Sequence, residues 1–552
     1  MNPIILAKKQ IEQAITLAVK TNVDLSKFTI ERPANSSHGD FSTNAAMVWA
    51  KVLQNNPRAI ANDILENLKT ENTYIKSAEI AGPGFINFRL CESFYADLLS
   101  HINQKGEDFG KTNFGEKKRV LVEFVSANPT GPMHIGNARG GALGDGIASV
   151  LEWAGYDAKR EFYINDAGNQ LIKFGASLEA RYLQIFDDKV EFPEDGYKGA
   201  DITEHAENFA KNNGDKFLNT DENIRKQALV EYALPLNIKR LEDNLERYRI
   251  IYDNWFKESS LHESGEVGKI IEKLKVSGKT YEHEGALWLM AAEEENPDED
   301  YVIVRANGVP TYLAADIAYH YNKFVTRNFD FAINVLGADH HGYKARLIAA
   351  MEALGLGDKT LDFKLTQMVR LIRGGEVIKS SKRTGKSITL ETLLDEIPLD
   401  AARYFFNLRE ADTHLDFDLD LAIEESSKNP VYYVQYAYAR ICSIIKNLSA
   451  EGIEIDKNAD LNLLNHETER ELIFKLAEFE GEIVAAATSY EPAKIAKYVF
   501  DLAALFHKFY NAVKVRCEDL ALCKARLLLC DSARVAIKNS LTILKVAAPE
   551  NM

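Results

Sequence analysis

Cysteine is scarce in this chain: five residues in 552 (Cys91, Cys442, Cys517, Cys523 and Cys530), with no close pair at metal-ligand spacing. That scarcity suggests neither a disulfide framework nor a zinc site, and it favours a reducing cytoplasm. Cys523 and Cys530, seven apart, read as buried positions on one helix face. No stretch approaches 18 uninterrupted apolar residues, so no membrane span is expected. The first residues place Ile11, Ile15 and Val19 at helical spacing, without an unbroken apolar region or a cleavage site. They read as an amphipathic helix, not a signal peptide. Glu12 and a first helix without arginine argue against a transit peptide. Positive charge is also short, with 66 Lys and Arg against 82 Asp and Glu and a net charge of −16. Phosphate backbones are bound through Lys and Arg, so this balance is awkward for a nucleic-acid binder. The shortage is not uniform, since Lys508 to Lys545 holds eight basic residues against three acidic ones. Such a run permits RNA binding, although a charge run is usually only a solvated face. No internal repeat or low-complexity tract occurs.

What is present begins with Ala127-Asn-Pro-Thr-Gly-Pro-Met-His-Ile-Gly-Asn137. Before it, Arg119–Val125 reads as a buried strand, and after it a helical pattern runs to Gly155. A strand, a tight Pro/Gly turn and a helix N-terminus form a nucleotide site in an α/β sheet. His134 and Asn137 would face the phosphate there. The helix carries Gly140, Gly141, Gly144 and Gly146, each costing roughly 1 kcal/mol against alanine. That cost is reasonable where backbone must approach a ligand or the sheet closely. Asparagine is also a good helix cap, so a purely structural role for Asn137 stays open.

Two further stretches suit phosphate and ribose. Val377-Ile-Lys-Ser-Ser-Lys-Arg-Thr-Gly-Lys386 sets four cations on a Gly/Ser-rich loop after a strand, which would suit a polyphosphate leaving group. Val335-Leu-Gly-Ala-Asp-His-His-Gly342 lies where a strand meets a helix. There Gly337 would admit the ligand and Asp339 would accept ribose hydroxyls. The adjacent His340 and His341 point to different faces and do not suggest a metal. Gly106–Thr112 has three residues between its glycines instead of the four of a phosphate-binding loop. Ser380 fails the same pattern before Gly385-Lys386-Ser387, and Gly144-Asp-Gly146 lacks a preceding strand.

The first of these motifs resembles the His-Ile-Gly-His signature of class I aminoacyl-tRNA synthetases, with Asn137 in the last place. The loop at Lys379–Arg383 resembles their Lys-Met-Ser-Lys-Ser signature, with Ser380 for methionine and Arg383 for the last serine. The flanks resemble arginyl-tRNA synthetases, and the likeness covers essentially the whole chain. It implies an α/β Rossmann-like class I catalytic core with a helical insertion, a small α+β N-terminal domain and an all-α C-terminal domain. The expected bounds are 1–115 for the tRNA-contacting N-terminal domain and 116–390 for the catalytic domain, with its insertion at about 170–300. A connecting helical segment at 391–430 and an anticodon-binding domain at 431–552 follow. Within the core, strands are expected at Ala158–Ile164, Tyr301–Arg305 and Phe331–Leu336, a helix at Ala315–Phe324, and a strand pair around Gln367–Lys379. Strand signals fade beyond about 390. Tyr432, Tyr433, Tyr436 and Tyr438 suit either base stacking or a helical core.

The resemblance implies an arginine–tRNA ligase that activates L-arginine with ATP and Mg²⁺, without zinc, and transfers it to tRNA(Arg). His134, Gly136, Asn137, Gly337, Asp339, Lys379 and Lys382 would bind ATP, with His134, Asn137, Lys379 and Lys382 acting in catalysis. A desolvated guanidinium must be paired, and bidentate carboxylates match its fork. By the same resemblance Glu123 and Asp316 would meet it and Tyr312 would orient it. Ser126 and Asn128 would hold the α-amino and carboxyl end, with Asn137 and His340 close by. Glu123 also reads as a surface strand residue with Val122 and Phe124 facing inward. A cytoplasmic monomer without membrane contact is expected. Two alternatives stand: a class I ligase for another amino acid, and a catalytically silent tRNA-binding paralogue, which Asn137 and Ser380 would support.

Overall fold

The computed structural model describes residues 2–19, 28–33, 35–290, 300–338, 342–378 and 388–552. Its centre is a five-stranded parallel sheet built from β1 (Arg119–Glu123), β2 (Asp157–Ile164), β3 (Asn254–Lys257), β4 (Phe331–Gly337) and β5 (Thr360–Thr366). Their spatial order is β5-β4-β1-β2-β3. The chain starts in the middle, winds outward through β2 and β3, then returns to lay β4 on the other side of β1. The direction of winding therefore reverses between β1 and β4, and ligand crevices open at the carboxyl ends of such a pair. Val120, Leu121 and Val122 are all buried, as both faces of a central parallel strand demand. The register sets Glu123 opposite Asn334.

The signature helix (Ile135–Trp153) lies across β1. Its close approach depends on Gly144, where an added Cβ would stand 2.2 Å from Phe124 Cγ. Asp145 on the same helix is buried between Arg160 of β2, at 2.7 Å, and Arg403 of the Leu399–Phe406 helix. Arg403 in turn donates to the Leu544 carbonyl at 3.3 Å, fastening the last helix to the core.

Three expectations need correction. Tyr301–Val304 does not rejoin the central sheet. It pairs antiparallel with Ala286–Leu289, which forms a hairpin with Thr280–His283. Glu284 (φ 51°) and Gly285 (φ 75°) supply the two positive φ angles of that hairpin's tight turn. The stretch 170–300 is therefore not wholly insertion, since its β3 is the edge of the central sheet, paired Glu161 to Asn254. The segment 391–430 is not wholly helical either. Leu415–Asp418 is a strand parallel to Val369–Arg373, with Leu415 and Phe417 buried on alternate positions.

Helices Asn169–Gln184, Ala200–Asn213 and Glu222–Arg247 enclose a separate small core around Phe174, Tyr182 and Phe209. The C-terminal part is helical from Pro430 to Ile543. Cys523 and Cys530 are buried in its last helix. The N-terminal part is a four-stranded antiparallel sheet with helices on it, and it rests on the C-terminal helices. Arg32 stacks 4.0 Å from the Phe474 ring centre and pairs with Glu478 at 2.8 Å. Five cations of the Lys508–Lys545 run are ion-paired: Lys508 with Glu471, Arg516 with Glu451, Lys524 with Asp456, Arg526 with Glu469 and Arg534 with Asp531. No helix among the described residues is long and apolar enough to cross a membrane.

Candidate active site

Between β1 and the signature helix the backbone is strained. Val125 has φ 69° and Ser126 φ 41°, and the Ser126 N–H donates to the Phe124 carbonyl at 3.0 Å. That is a γ-turn with a β-branched residue at positive φ, an arrangement that persists only where its surroundings impose it. The turn aims Ser126 Oγ at Glu123 Oε1, 3.2 Å away, while the same oxygen accepts the Tyr163 N–H at 3.2 Å.

His134 is exposed at the N-cap of the signature helix. Asn137 Oδ1 accepts the His134 N–H at 3.1 Å, so the residue in the last signature place does cap this helix. The turn is also stitched to the segment after the second signature. Ile135 N–H donates to the Ile388 carbonyl (3.2 Å) and Leu390 N–H to the Met133 carbonyl (2.9 Å). Around it opens a cavity of about 1330 Å³ lined by Ser126, Asn128, His134, Gly136, Asn137 and Gly337, among others. Asp339, His340, Lys379 and Lys382 lie outside the described residues.

A second cavity of about 270 Å³ sits at the end of β1 and brings Glu123, Tyr312 and Asp316 together with Glu258, Tyr163 and Asn334. Asp316 stands in the second turn of a helix that begins at Tyr312, earlier than its pattern suggested. Burial raises its carboxyl to about 7, against a lowering hydrogen bond from the Tyr343 phenol and with the Glu258 and Glu123 charges adding to the rise. Burial likewise raises Glu258. Tyr312 packs on Gly168 (φ 80°), where a Cβ would meet its ring at 2.9 Å. Its phenol oxygen accepts the Asn169 N–H at 3.0 Å and so caps the following helix.

Glu123 is buried, not a surface strand residue. Its Oε2 accepts from Lys323 Nζ at 2.6 Å, and Lys323 also donates to Asn334 Oδ1 at 3.0 Å. His320 completes the network, with Nδ1 2.8 Å from the Asp316 carbonyl and Nε2 2.9 Å from Asn334 Nδ2. Burial, and next the Lys323 charge, hold His320 well below its usual range. It is therefore neutral, with its proton on Nδ1. Lys323 lies in a π-helical turn (Asn322–Thr326) that follows the Tyr312–Tyr321 helix. Such turns often mark functional sites.

Sequence reasoning missed Glu258 and Lys323. Glu258 follows β3, a strand too short to read, and Lys323 falls where the helix widens out of its 3.6-residue period. Three carboxylates thus share one small cavity with a single buried lysine beside them, and that lysine already belongs to Glu123. Among the described residues, no Lys or Arg lines this cavity.

Three family models match in series: arginyl tRNA synthetase N terminal domain over residues 6–90, tRNA synthetases class I (R), catalytic domain over 98–434, and DALR anticodon binding domain over 434–552. An arginine–tRNA ligase of Ruminiclostridium cellulolyticum is 52% identical over 557 residues, covering 99% of both chains. One from Acetivibrio thermocellus is 50% identical over 563 residues, covering 100% of both. The fold is that of Thermus thermophilus arginyl-tRNA synthetase, with a TM-score of 0.75 at 23% identity over 99% of this chain and 100% of that one. The chain belongs to the arginyl-tRNA synthetase family.

Proposed function

We propose the following division of labour. The chain is an ATP-dependent arginine–tRNA ligase. In the first step the arginine carboxylate attacks the α-phosphate of ATP in line, an arginyl–phosphate bond forms, and pyrophosphate leaves. His134, Gly136 and the open end of the signature helix stabilise the crowded phosphate, and Gly337 with Asp339 takes the ribose. Lys379 and Lys382 follow the departing pyrophosphate, and Mg²⁺ is carried as the ion that accompanies ATP. In the second step the 2′-hydroxyl of the terminal adenosine of tRNA(Arg) takes the arginyl group and AMP leaves. Asp316 and Glu258 clasp the guanidinium and Tyr312 orients it. Glu123 acts through Ser126, which with Asn128, Asn137 and His340 holds the amino-acid end. The assignment includes domain divisions near residues 115, 390 and 430, and a cytoplasmic monomer.

The observation that carries this reading is the cation-poor carboxylate cavity adjoining the signature turn through Glu123 and Ser126. Pyrophosphate exchange into ATP, run with each amino acid with and without tRNA, tests it. Exchange is expected with arginine and to require tRNA. Exchange with a different amino acid, or none under any condition, would overturn it. Lys382→Ala should lower activation far more than arginine binding.

A further inference from the structure

A guanidinium presents five N–H donors in one plane, and two carboxylates gripping its edges take at most four of them. The smaller cavity must therefore supply a further acceptor, yet most polar groups on its wall are engaged. Asn334 Oδ1 accepts from Lys323, and the His320 ring is held between the Asp316 carbonyl and Asn334. The Tyr319 phenol donates to Glu161 at 2.5 Å, and the Tyr312 oxygen accepts the Asn169 N–H. Two buried wall atoms remain, the Tyr163 phenol oxygen and Gln170 Oε1. The phenol faces Glu258 and lends its proton to that carboxylate. An amide oxygen can only accept, and Gln170 Oε1 has no donor among the described residues.

The place of Gln170 is fixed by the residue assigned to orient the guanidinium. It is the second residue of the Asn169–Gln184 helix, whose N-cap is Gly168. Tyr312 holds that helix start, with its ring against Gly168 and its oxygen on the Asn169 N–H. An uncharged acceptor suits the position. The Glu258 and Glu123 charges already raise Asp316, and a fourth carboxylate would hold more of it protonated. A buried carbonyl without a donor costs about 1–3 kcal/mol, which an N–H of the ligand offsets.

We propose that Gln170 is a specificity-determining residue whose Oε1 accepts the guanidinium N–H that the carboxylates leave free. The site then reads the planar spread of donors as well as the positive charge. Lysine carries its three donors on one nitrogen, so a lysine gripped by the carboxylates leaves Gln170 unmet. This rests on the ligase reading and adds a selector that the acidic residues do not provide.

Arginine-dependent pyrophosphate exchange with tRNA(Arg) present tests it, with lysine as a competing inhibitor. Gln170→Met keeps the length of the side chain and removes the acceptor. It should raise the KM for arginine roughly tenfold and leave the inhibition constant of lysine unchanged. Gln170→Glu retains an acceptor oxygen and at pH 8 should keep the KM of the unaltered protein. An unchanged KM in Gln170→Met, equal weakening of arginine and lysine, or a Gln170→Glu variant as impaired as Gln170→Met would overturn the assignment. If the unaltered protein showed no arginine-dependent exchange, the ligase reading itself would fall, a result separable from the other three.

Discussion

Lys323 Nζ stands 2.6 Å from Glu123 Oε2, and both groups are buried. An ion pair withdrawn from water gains little over apolar residues of the same shape, but removing one partner strands the other's charge. Lys323→Met should therefore cost about 3–5 kcal/mol in urea unfolding. Adding Glu123→Gln should restore much of that loss while leaving arginine activation impaired. Strict additivity of the two substitutions would show that the pair is not coupled.

The Asp316 carboxyl, raised to about 7 by burial, ties arginine affinity to pH. A guanidinium binds the ionised form, so affinity should fall about tenfold per unit below pH 7 and level off above it. Calorimetry in buffers of different ionisation heat should register a released proton near pH 6.5. The stability of the unliganded protein should follow the opposite trend. A carboxyl whose folded value lies above its unfolded one holds more protons when folded, so stability declines as pH rises from about 4 to 7. Asp316→Asn should remove that slope and stabilise the unliganded protein by roughly 1–3 kcal/mol at pH 8. A flat pH profile of arginine binding would argue against this carboxylate as the ligand's partner.

Glu258 lies in the same cavity and should share in rejecting neutral analogues. Citrulline would leave buried carboxylates unpaired, and discrimination on the order of 10⁴ in kcat/KM is expected. Glu258→Gln should narrow that ratio mainly by harming arginine. Near-equal use of citrulline by the unaltered enzyme would exclude a guanidinium-clasping role for these acids.

Gly140 and Gly144, one turn apart on the signature helix, should respond oppositely to alanine. An added Cβ at Gly140 meets no atom within 4 Å, because it projects into the larger cavity. Gly140→Ala should thus raise stability by roughly 1 kcal/mol through helix propensity while weakening ATP binding. At Gly144 the same carbon collides with Phe124, so Gly144→Ala should destabilise by about 1–3 kcal/mol. Thermal melts paired with ATP titrations would separate the two.

Much of this arrangement was legible from residue order, because a parallel core strand and a Gly/Pro turn leave strong local marks. β1 and the signature turn stood out in this way, whereas Glu123 and Asp316 were singled out by the family resemblance. What stayed hidden was non-local. β3 is four residues long and its place at the sheet edge depends on pairing with β2. Tyr301–Val304 has the composition of a core strand, yet it pairs with Ala286–Leu289 of the hairpin turned at Glu284-Gly285 and so belongs to a separate sheet. Asn137 could be read as cap or catalyst, and the hydrogen bond it accepts from the His134 N–H establishes the first role. Tyr438 proved to be core, whereas Tyr432 and Tyr436 stack on one another with ring centres 6.4 Å apart at the surface.

The Lys508–Lys545 run, with five of its cations already facing carboxylates of the same chain, has a bearing on how RNA arrives. Side chains neutralised internally displace few condensed counterions from a polyanion. Long-range attraction toward this half of the molecule is correspondingly weak, and contact there is selected by fit at short distance. Docking at these helices should accordingly tolerate added salt better than their lysine and arginine content suggests.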